Sequence, residues 1–377
     1  MIIIKQIKIY KIVTYTTPFI FIFILWMSVS CTKEDDVHVP VTTVLLIYLA
    51  ADNSLSGEGH DKLEDIRKGW ISIPDSRILI YQDVTDASPR LLEMGTNNTI
   101  TTIEEYEFEN SADPQILQRV ITKSKTLYPQ ATFNLLVFSH ASGWLPTGSY
   151  NNPSLRSVVM DGKDEMELSD FAAAIPDNTF EYIVFEACHM AGVEVAYQLR
   201  DKARYIAASS AEIISPGFTN TYQEHIGELV YGNPIKFMQQ AFDNFDNQTG
   251  YMRSATFSVI ETSGVEALAE FIQANCNMSE EIDISDIQHF DRYNLQLFFD
   301  FSDYYSRLLE TQAQRQQLKK QIDDIVVWKA STPNFMLQYG GFTINQHSGL
   351  TTYIKQEQYT RLNESYTALS WYKKIND

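Results

Sequence analysis

The sequence predicts an α/β fold in which a doubly wound, mostly parallel sheet is flanked by helices. From residue 37 onward, apolar runs of strand length alternate with helical patterns, which is typical of α/β domains. The third, fourth and fifth predicted strands are apolar throughout, as strands covered on both faces are. With 377 residues, of which 44% are hydrophobic, the chain is long enough to bury a large core.

The predicted strands share runs of β-branched and aliphatic residues that end at polar or turn-forming ones. They are TTVLLIYLA (42–50), SRILIYQDV (76–84), FNLLVFSH (133–140), EYIVFEA (181–187), RYIAASSAEI (204–213) and SATFSVIE (254–261). The polar residues Asp52, Asn53 and Ser54 follow the first strand and cap the helix that comes next. We therefore expect the first half of the chain to form the doubly wound sheet.

The predicted helices between these strands carry apolar residues at helical spacing. They are the stretch around Leu63, Ile66 and Trp70, then residues 113–128, 166–175, 191–202, 233–245 and 264–278. Further along, residues 295–328 are mostly helical in pattern. GGFTIN (340–345) and SGLTTYIK (348–355) flank a two-residue turn, which predicts an antiparallel hairpin. The chain should therefore end in a helical and hairpin extension.

The first thirty residues are set apart from the fold. Three lysines precede the apolar run PFIFIFILWM (18–27), which has the length of a secretory signal. The following SVSC resembles the lipobox of bacterial lipoproteins, in which Cys31 would be lipidated. The next residues, TKEDD (32–36), resemble the signal that sends lipoproteins to the surface of Bacteroides-like bacteria. We expect an exported outer-membrane lipoprotein at the cell surface; simple secretion, with Cys31 in a flexible leader, is the alternative.

Four segments are predicted: a signal peptide (1–30), an acidic linker (31–41), a sheet core (42–262) and a C-terminal extension packed on it (263–377). The net charge of −19 argues against nucleic acid as a partner, because binding phosphates requires positive charge. We expect a monomer that is attached to the outer membrane only through its lipid.

A histidine and a cysteine, which can act together as base and nucleophile, follow two consecutive predicted strands. His140 comes at the end of the third strand and Cys188 directly after the fourth. In open α/β sheets, functional residues gather beyond the carboxyl ends of the strands, and neighbouring strands are about 5 Å apart. An imidazole beside a thiol favours the nucleophilic thiolate, and backbone N–H groups of Cys188 and Ala141 could hold the oxyanion. Cys276, in a helical pattern, is expected to fill the core.

Several motifs around these residues resemble one family. FSHASGW (138–144) and FEACHMAGVEVAYQL (185–199) resemble the clostripain-like cysteine peptidases, which have a caspase-like fold. Further similar stretches follow the family's order: YLAADNSLS (48–56), ASSAEIISPGF (208–218), FDFSDYY (299–305) and SGLTTYI (348–354). The resemblance implies a caspase-like sheet and a thiol protease, a hydrolase that cuts peptides after arginine or lysine.

By position, the resemblance implies a catalytic dyad of His140 and Cys188. It also implies that Glu186, two residues before the cysteine, binds the basic side chain of the substrate, a contact that suits a carboxylate and a guanidinium. The alternative is that Glu186 is a buried acid paired with a structural base. Ala141 stands where the family has glycine, and it would distort the oxyanion hole if this position required a positive φ.

Self-cleavage and calcium are further implications of the resemblance. Arg156 and Lys163 are the basic residues in the loop after the histidine, and Arg156 is preferred as the cleavage site. No cofactor is needed for the chemistry, but several relatives use calcium. Asp161, Asp164 and Glu165 cluster in DGKDE without the spacing of a ligand loop, so no metal site is predicted.

Two competing interpretations remain open from the sequence. His189, next to Cys188, raises a zinc site with His140, but the chain lacks Cys-x-x-Cys and His-Glu-x-x-His spacings. A catalytically weak or inactive surface lipoprotein could use the same rim to bind peptides or glycans. Ala141 favours that interpretation, whereas the intact His140 and Cys188 favour a peptidase.

Overall fold

A nine-stranded sheet lies at the centre of the computed structural model, which describes residues 39–96, 98–148, 158–293 and 295–376. The strands in these residues are, in chain order, β1 (Thr43–Ala51), β2 (Ser76–Val84), β3 (Ala87–Met94), β4 (Ile100–Glu105), β5 (Thr132–Phe138), β6 (Val159–Asp161), β7 (Asp164–Met166), β8 (Phe180–Glu186), β9 (Ala203–Ser209), β10 (Thr256–Glu261), β11 (Phe299–Asp300), β12 (Val326–Ser331), β13 (Asn334–Phe335), β14 (Phe342–Thr343) and β15 (Thr351–Thr352).

Helices connect and cover these strands. They are α1 (Ser56–Gly69), α2 (Pro114–Leu127), α3 (Leu168–Ala174), α4 (Val193–Gln198), α5 (Thr219–Val230), α6 (Pro234–Asp246), α7 (Val265–Asn275), α8 (Phe301–Arg307), α9 (Gln312–Ile325), α10 (Thr360–Ala368) and α11 (Ser370–Asn376). None of the helices in the described ranges is both long and apolar enough to cross a lipid bilayer.

The strand order of the central sheet is β12-β10-β9-β8-β5-β1-β2-β3-β4. The five inner strands, from β9 to β2, all pair in parallel. Two antiparallel strands follow on each side, β10 and β12 next to β9, and β3 and β4 next to β2. The predicted fold class, a mostly parallel sheet flanked by helices, is therefore confirmed.

Both faces of the sheet are buried under helices. In β1, Leu46 and Tyr48 belong to one hydrophobic cluster, whereas Leu45 and Ile47 belong to another. This alternation places the two clusters on opposite faces, because successive side chains of a strand point to opposite sides. Helices α2, α4 and α7 supply the first cluster, and α1, α5 and α6 supply the second. The continuous apolar runs in the sequence follow from this double cover.

The predicted hairpin at residues 340–355 is wrong. β14 pairs with β13, and β15 pairs with β11 far upstream. The side chain of Asp300, in β11, accepts a hydrogen bond from the backbone N–H of Ser348 at 2.6 Å. Phe301 N donates to Leu350 O at 3.0 Å. The segment is therefore held by residues around Asp300 rather than by folding back on itself.

Several strands outside the parallel centre were missed from the sequence or assigned to helix, among them β3, β4, β6, β7 and β12. β3 and β4 carry exposed polar residues, and the hairpin of β6 and β7 is only three residues long on each side. The predicted helical stretch 295–328 ends in β12, which pairs with β10 at the edge of the sheet. The C-terminal segment thus contributes a strand to the central sheet.

Candidate active site

The catalytic candidates lie where the strand order of the sheet reverses. The chain runs from β1 to β2 on one side and continues with β5 on the other side of β1. Such a reversal opens a crevice at the carboxyl ends of the strands. Phe138 at the end of β5 is paired with Glu186 at the end of β8. His140 and Cys188, each two residues further on, therefore emerge at the same edge of the sheet.

His140 and Cys188 both line a cleft of about 610 Å³ at this edge. Its walls come from the segments after β1, β5, β8 and β9, together with two residues from the C-terminal part of the chain. The lining residues are Ser54, Leu55, Glu58, Phe138, Ser139, His140, Glu186, Ala187, Cys188, Glu212, Ile213, Ile214, Ser215, Gly217, Arg292 and Met336. The structure thus brings together the two side chains that the sequence singled out.

The loops that carry the two candidates touch each other. Gly143, in the loop after β5, has a φ of +63°, and a Cβ there would lie 2.7 Å from the carbonyl oxygen of His189. Only glycine fits such a conformation and such a close approach without strain. His189 itself has a φ of +59°, an uncommon value for a residue with a side chain. This contact fixes the position of Cys188 relative to the histidine loop.

His189 does not point into the cleft as a metal ligand would. Its side chain is 3% exposed, its ring stacks on Phe298 with centroids 4.2 Å apart, and its Nδ1 lies 3.1 Å from Ser210 O. The group of possible metal ligands in the described residues does not include it. His189 instead holds the loop of Cys188 in place.

The imidazole of His140 contacts a serine from the loop after β1. Its Nε2 lies 2.9 Å from the hydroxyl oxygen of Ser54. From the sequence, Ser54 was predicted only as part of a helix cap, and this contact was not predicted. The signal was the motif YLAADNSLS, whose position after β1 places Ser54 at the edge of the crevice.

The thiol of Cys188 is half-buried and carries its proton at neutral pH. Its Sγ accepts a hydrogen bond from Ile213 N at 3.4 Å. Burial, and next the negative charge of Glu212, raise the pKa of Cys188 to about 12, whereas the bond from Ile213 N and the positive charge of Arg292 oppose the rise. Burial alone raises the pKa of Cys276, which lies at the end of α7, to about 12 as well. The thiol could therefore act as a nucleophile only with the help of a base.

Glu186 is a buried acid paired with a structural base, the alternative considered from the sequence. Lys62 of α1 places its Nζ 2.6 Å from Glu186 Oε1. Phe218 N donates to the same oxygen at 2.5 Å, and the hydroxyl of Tyr222 donates to Oε2. The charge of Glu186 is therefore neutralised within the chain in this structure, which favours a structural ion pair over a direct contact with a basic substrate.

The ammonium of Lys62 is fully used by its own chain. Besides Glu186, it donates to Pro216 O at 2.6 Å and to Thr219 Oγ1 at 3.1 Å. Gly217 has a φ of +61°, and a Cβ there would lie 2.1 Å from Glu186 Oε1. The glycine therefore lets the backbone close directly over the ion pair.

Two further carboxylates line the cleft. Glu212 forms a two-pronged ion pair with Arg292, whose Nη2 lies 2.9 Å from Glu212 Oε1. Glu58 accepts a hydrogen bond from Ser215 Oγ at 2.7 Å and has no cationic partner among the residues described. Glu58 lies one helical turn before Lys62 on α1, so both face the same side. The uncompensated negative charge of the cleft is therefore that of Glu58.

Alanine at position 141 fits its backbone conformation. Ala141 is buried and is not among the described residues with positive φ, so no glycine is required there. Neither Ala141 N–H nor Cys188 N–H donates a hydrogen bond within the described part of the chain. Alanine at position 141 therefore does not distort the backbone of a possible oxyanion hole. This removes the main support for an inactive protein.

Of the remaining candidates from the sequence, two lie outside the described residues, and the described ones are not among the residues that line the cleft. Cys31 and Arg156 lie outside the described residues. Lys163 is exposed in the turn between β6 and β7. Asp164 is exposed and accepts a hydrogen bond from Asn110 at 2.7 Å. The acids of DGKDE do not form a site of their own; Asp161 instead lies with Asp52 and Asp83.

The comparisons with known proteins agree with this geometry. The model of the clostripain family matches residues 47–376. Clostripain of Hathewaya histolytica is 24% identical over 228 residues, covering 50% of this chain and 42% of clostripain, so the chain spans less than half of that relative.

Two solved structures match nearly the whole chain. The inactive zymogen of a C11 protease from Parabacteroides distasonis is 30% identical with a TM-score of 0.79, covering 90% of this chain and 100% of that one. A secreted C11 cysteine protease from Bacteroides thetaiotaomicron, solved with an irreversible peptide inhibitor, is 25% identical with a TM-score of 0.76, covering 89% and 99%. Since the family model spans far more than half of the sequence, this chain belongs to the clostripain family of cysteine peptidases.

Proposed function

We propose that this chain is a cysteine endopeptidase that cleaves peptide bonds after basic residues, with Cys188 as nucleophile and His140 as general base. The observation that carries the proposal is the common edge of β5 and β8, which brings both side chains to one cleft. A cleft of about 610 Å³ is large enough for several residues of an extended peptide.

The proposed reaction has two steps. His140 takes the proton of Cys188, and the thiolate forms a bond to the carbonyl carbon of the substrate. The N–H groups of Cys188 and Ala141 stabilise the oxyanion until the C–N bond breaks and His140 returns the proton to the leaving amine. Water, deprotonated by His140, then hydrolyses the thioester and regenerates the thiol. Ser54 acts as a positioning residue through its contact with His140 Nε2.

The preference for a basic residue is assigned to Glu58. Of the three carboxylates in the cleft, Glu186 and Glu212 are neutralised by Lys62 and Arg292. Glu58 keeps its charge uncompensated within the described residues, so an arginine or lysine side chain in the cleft would meet a net negative charge. Negatively charged side chains would be repelled.

The chemistry needs no cofactor, since the thiol and the imidazole supply both nucleophile and base. We further propose that the chain acts as a monomer, is exported and is held at the outer membrane by lipid on Cys31. The leader, the SVSC motif and the acidic TKEDD segment support this localisation. Self-cleavage at Arg156 remains part of the proposal, and the Parabacteroides relative is itself described as a zymogen.

Fluorogenic peptides with arginine, lysine, aspartate or leucine before the scissile bond test the proposal. The purified protein, before and after limited trypsin treatment, should cleave the arginine and lysine peptides. Cys188→Ala and His140→Ala should each lower kcat/KM at least about 1000-fold, whereas Cys276→Ala should retain full activity. Activity that persists in Cys188→Ala, or the absence of cleavage of every peptide, would contradict the proposal.

A further inference from the structure

Four exposed apolar side chains, which we call the apolar patch, lie together beside the cleft of about 610 Å³. They are Tyr251, Tyr293, Leu337 and Tyr339, which are 40%, 60%, 53% and 47% exposed. Single exposed apolar residues are common on soluble proteins, whereas a contiguous group of them marks a binding surface. Four of the ten large apolar side chains that are exposed in the described part of the chain belong to this patch. The patch is therefore a candidate binding surface.

Three segments that are distant in sequence build the patch. The ring of Tyr251 makes an edge-on contact with the ring of Tyr339, with centroids 5.0 Å apart. Tyr293 N donates to the carbonyl of Gly340, directly after Tyr339, at 2.9 Å. Arg292 Nη1 donates to Tyr339 O at 3.1 Å and to the hydroxyl of Tyr293 at 2.9 Å. The patch is therefore ordered before a ligand binds, which lowers the entropic cost of binding.

Met336 and Arg292 connect the patch to the cleft. Both residues line the cleft, and Met336 also lines a neighbouring cavity of about 270 Å³. The wall of this cavity includes Tyr251 and Leu337 of the patch. A peptide that leaves the cleft past Met336 therefore reaches the patch directly.

The backbone on both sides of this connection has an unusual conformation. Met336 has a φ of +42° and Tyr293 a φ of +61°, values that large side chains rarely adopt. Met336 N donates to Ser254 Oγ at 2.9 Å, a bond that holds the strained residue in place. Strained residues that the surrounding structure enforces are concentrated at binding and catalytic sites. The conformation of these two residues thus supports a role in binding.

The chemistry of the cavity favours an uncharged ligand. Among the described residues that line it, Arg253 alone is charged, and its Nη2 lies 2.8 Å from Asp246 Oδ1. Arg292, beside the patch, is likewise paired with Glu212. An acidic ligand would therefore find both guanidinium groups already occupied. A large apolar side chain would bury its surface against the rings of the patch, which is favourable.

We propose that the apolar patch and the adjoining cavity bind a large apolar or aromatic side chain of the peptide substrate, away from the scissile bond. This inference rests on the proposed peptidase function, because continuity with the cleft identifies the ligand as substrate. The substrate class becomes narrower: it is a peptide with a basic residue before the cut and an apolar or aromatic residue at a distance from it.

The contacts around Cys188 indicate how far from the cut this residue lies. Ile213 N donates to the thiol, and the preceding Glu212 pairs with Arg292, which in turn holds Tyr339. Glu212 and Arg292 thus lie between the thiol and the patch, so the bound residue is not the one next to the cut. Since an extended peptide advances about 3.3 Å per residue, we expect it about two to four positions away.

Binding to an inactive variant tests the inference without relying on cleavage. Isothermal titration calorimetry with the full-length Cys188→Ala protein compares peptides that contain one arginine and either phenylalanine or alanine. The variable residue stands two, three or four positions from the arginine, on either side. Phenylalanine should lower Kd about tenfold at one of these positions, because it buries a large apolar area. Equal Kd values for every pair of peptides, or no binding of any peptide, would overturn the inference.

Matched variants locate the effect. In the Cys188→Ala background, Leu337→Ala and Tyr339→Ala should abolish the preference for phenylalanine, whereas Tyr231→Ala should keep it. Tyr231 is a 71% exposed tyrosine that lies with the first residues of β1 and β5, at the opposite edge of the sheet. A preference that persists in both patch variants would overturn the inference.

Cleavage assays distinguish a failure of this inference from a failure of the proposed function. With Cys188 intact, a minimal arginine substrate that is too short to reach the patch should be cleaved equally by wild type, Leu337→Ala and Tyr339→Ala. The longer phenylalanine peptide should lose about tenfold in kcat/KM in the two variants. Cleavage without any preference for phenylalanine would overturn the inference alone. Absence of all cleavage, with the preference in Kd retained, would contradict the peptidase and leave the binding surface supported.

A second copy of the chain is the competing occupant of the patch. Sedimentation velocity should show a monomer for wild type and for both patch variants at the concentrations of the binding experiment. A wild-type dimer that Leu337→Ala or Tyr339→Ala dissociates would assign the patch to an interface between copies and overturn the inference.

Discussion

The Lys62 ammonium lies 2.6 Å from the Glu186 carboxylate, and both side chains are closed off from solvent. The pair connects α1 to the end of β8, two residues before Cys188. A basic substrate residue would have to displace Lys62 from three acceptors to reach Glu186. These contacts favour a role of the pair in the wall of the cleft over direct binding of a substrate.

The first prediction concerns the stability that depends on this pair. Lys62→Met should lower the free energy of unfolding by about 3–5 kcal/mol at pH 8, because it leaves the Glu186 carboxylate buried without a cation. Urea unfolding measures the change. The double variant Lys62→Met, Glu186→Gln should recover part of the loss, since a neutral amide can still accept from Phe218 N. Purely additive losses would show that the two charges are not coupled.

The second prediction concerns substrate preference. Glu58→Gln should raise KM for arginine and lysine peptides about tenfold, with kcat little changed, because the lost contact is present in both ground and transition states. Asp61→Asn is the matched control: it removes one charge from an exposed position of α1 that does not line the cleft.

The same peptide assay separates Glu58 from Glu186. Peptides with leucine before the bond should be cleaved with the same kcat/KM by wild type and Glu58→Gln. An unchanged KM for basic peptides in Glu58→Gln, combined with a raised KM in a folded Glu186→Gln, would return the specificity to Glu186.

The sequence was sufficient to predict the parallel centre of the sheet and the emergence of His140 and Cys188 at one edge of it. Continuous apolar runs identify β5 and β8 because both of their faces are covered, and His140 and Cys188 directly follow them. By contrast, no continuous apolar run identifies β3, β4 and β12 near the edges of the sheet. Their polar, partly exposed sequences are locally similar to those of loops or helices. Only the pairing with a neighbouring strand makes these segments strands.

The role of Glu186 could not be decided from the sequence because its partner is distant along the chain. Lys62 lies 124 positions earlier, on a helix whose pattern shows only that this face is partly buried. The group of Asp52, Asp83 and Asp161 was hidden for the same reason, since the loop after β1 and the strands β2 and β6 contribute one acid each. Spacing along the chain can reveal residues that cluster within one loop. It cannot reveal residues that are distant in sequence and come together only when the strands pair.

The third prediction concerns the reactivity of Cys188. Glu212→Gln should increase the rate of alkylation by iodoacetamide at pH 8 several-fold, because it removes a negative charge that raises the pKa of the thiol and frees Arg292. Cys276 in the same molecules is the internal control, since burial alone raises its pKa. Compared with wild type, the single variant His140→Ala should show slower labelling of Cys188 and unchanged labelling of Cys276. A slower or unchanged Cys188 in Glu212→Gln would contradict this electrostatic account.

The last prediction concerns a buried acid between α4 and β15. Glu194 is 2% exposed, and its Oε1 accepts bonds from Thr352 Oγ1 at 2.9 Å and Tyr353 N at 3.0 Å. Burial raises its pKa from 4.5 to about 7. The folded protein thus binds this proton more tightly than the unfolded chain, so the stabilisation is complete below pH 4.5 and is lost as the pH rises through 7.

Glu194→Gln keeps the accepting oxygen and removes the titration. The variant should be more stable than wild type by about 2 kcal/mol at pH 8 and close to wild type at pH 5 in urea unfolding. Glu310→Gln, at an exposed position between α8 and α9, should change stability equally at both pH values. If Glu194→Gln destabilised the protein at pH 8, the carboxylate would be ionised and stabilised by its two donors, and the pH dependence derived from its burial would have the wrong sign.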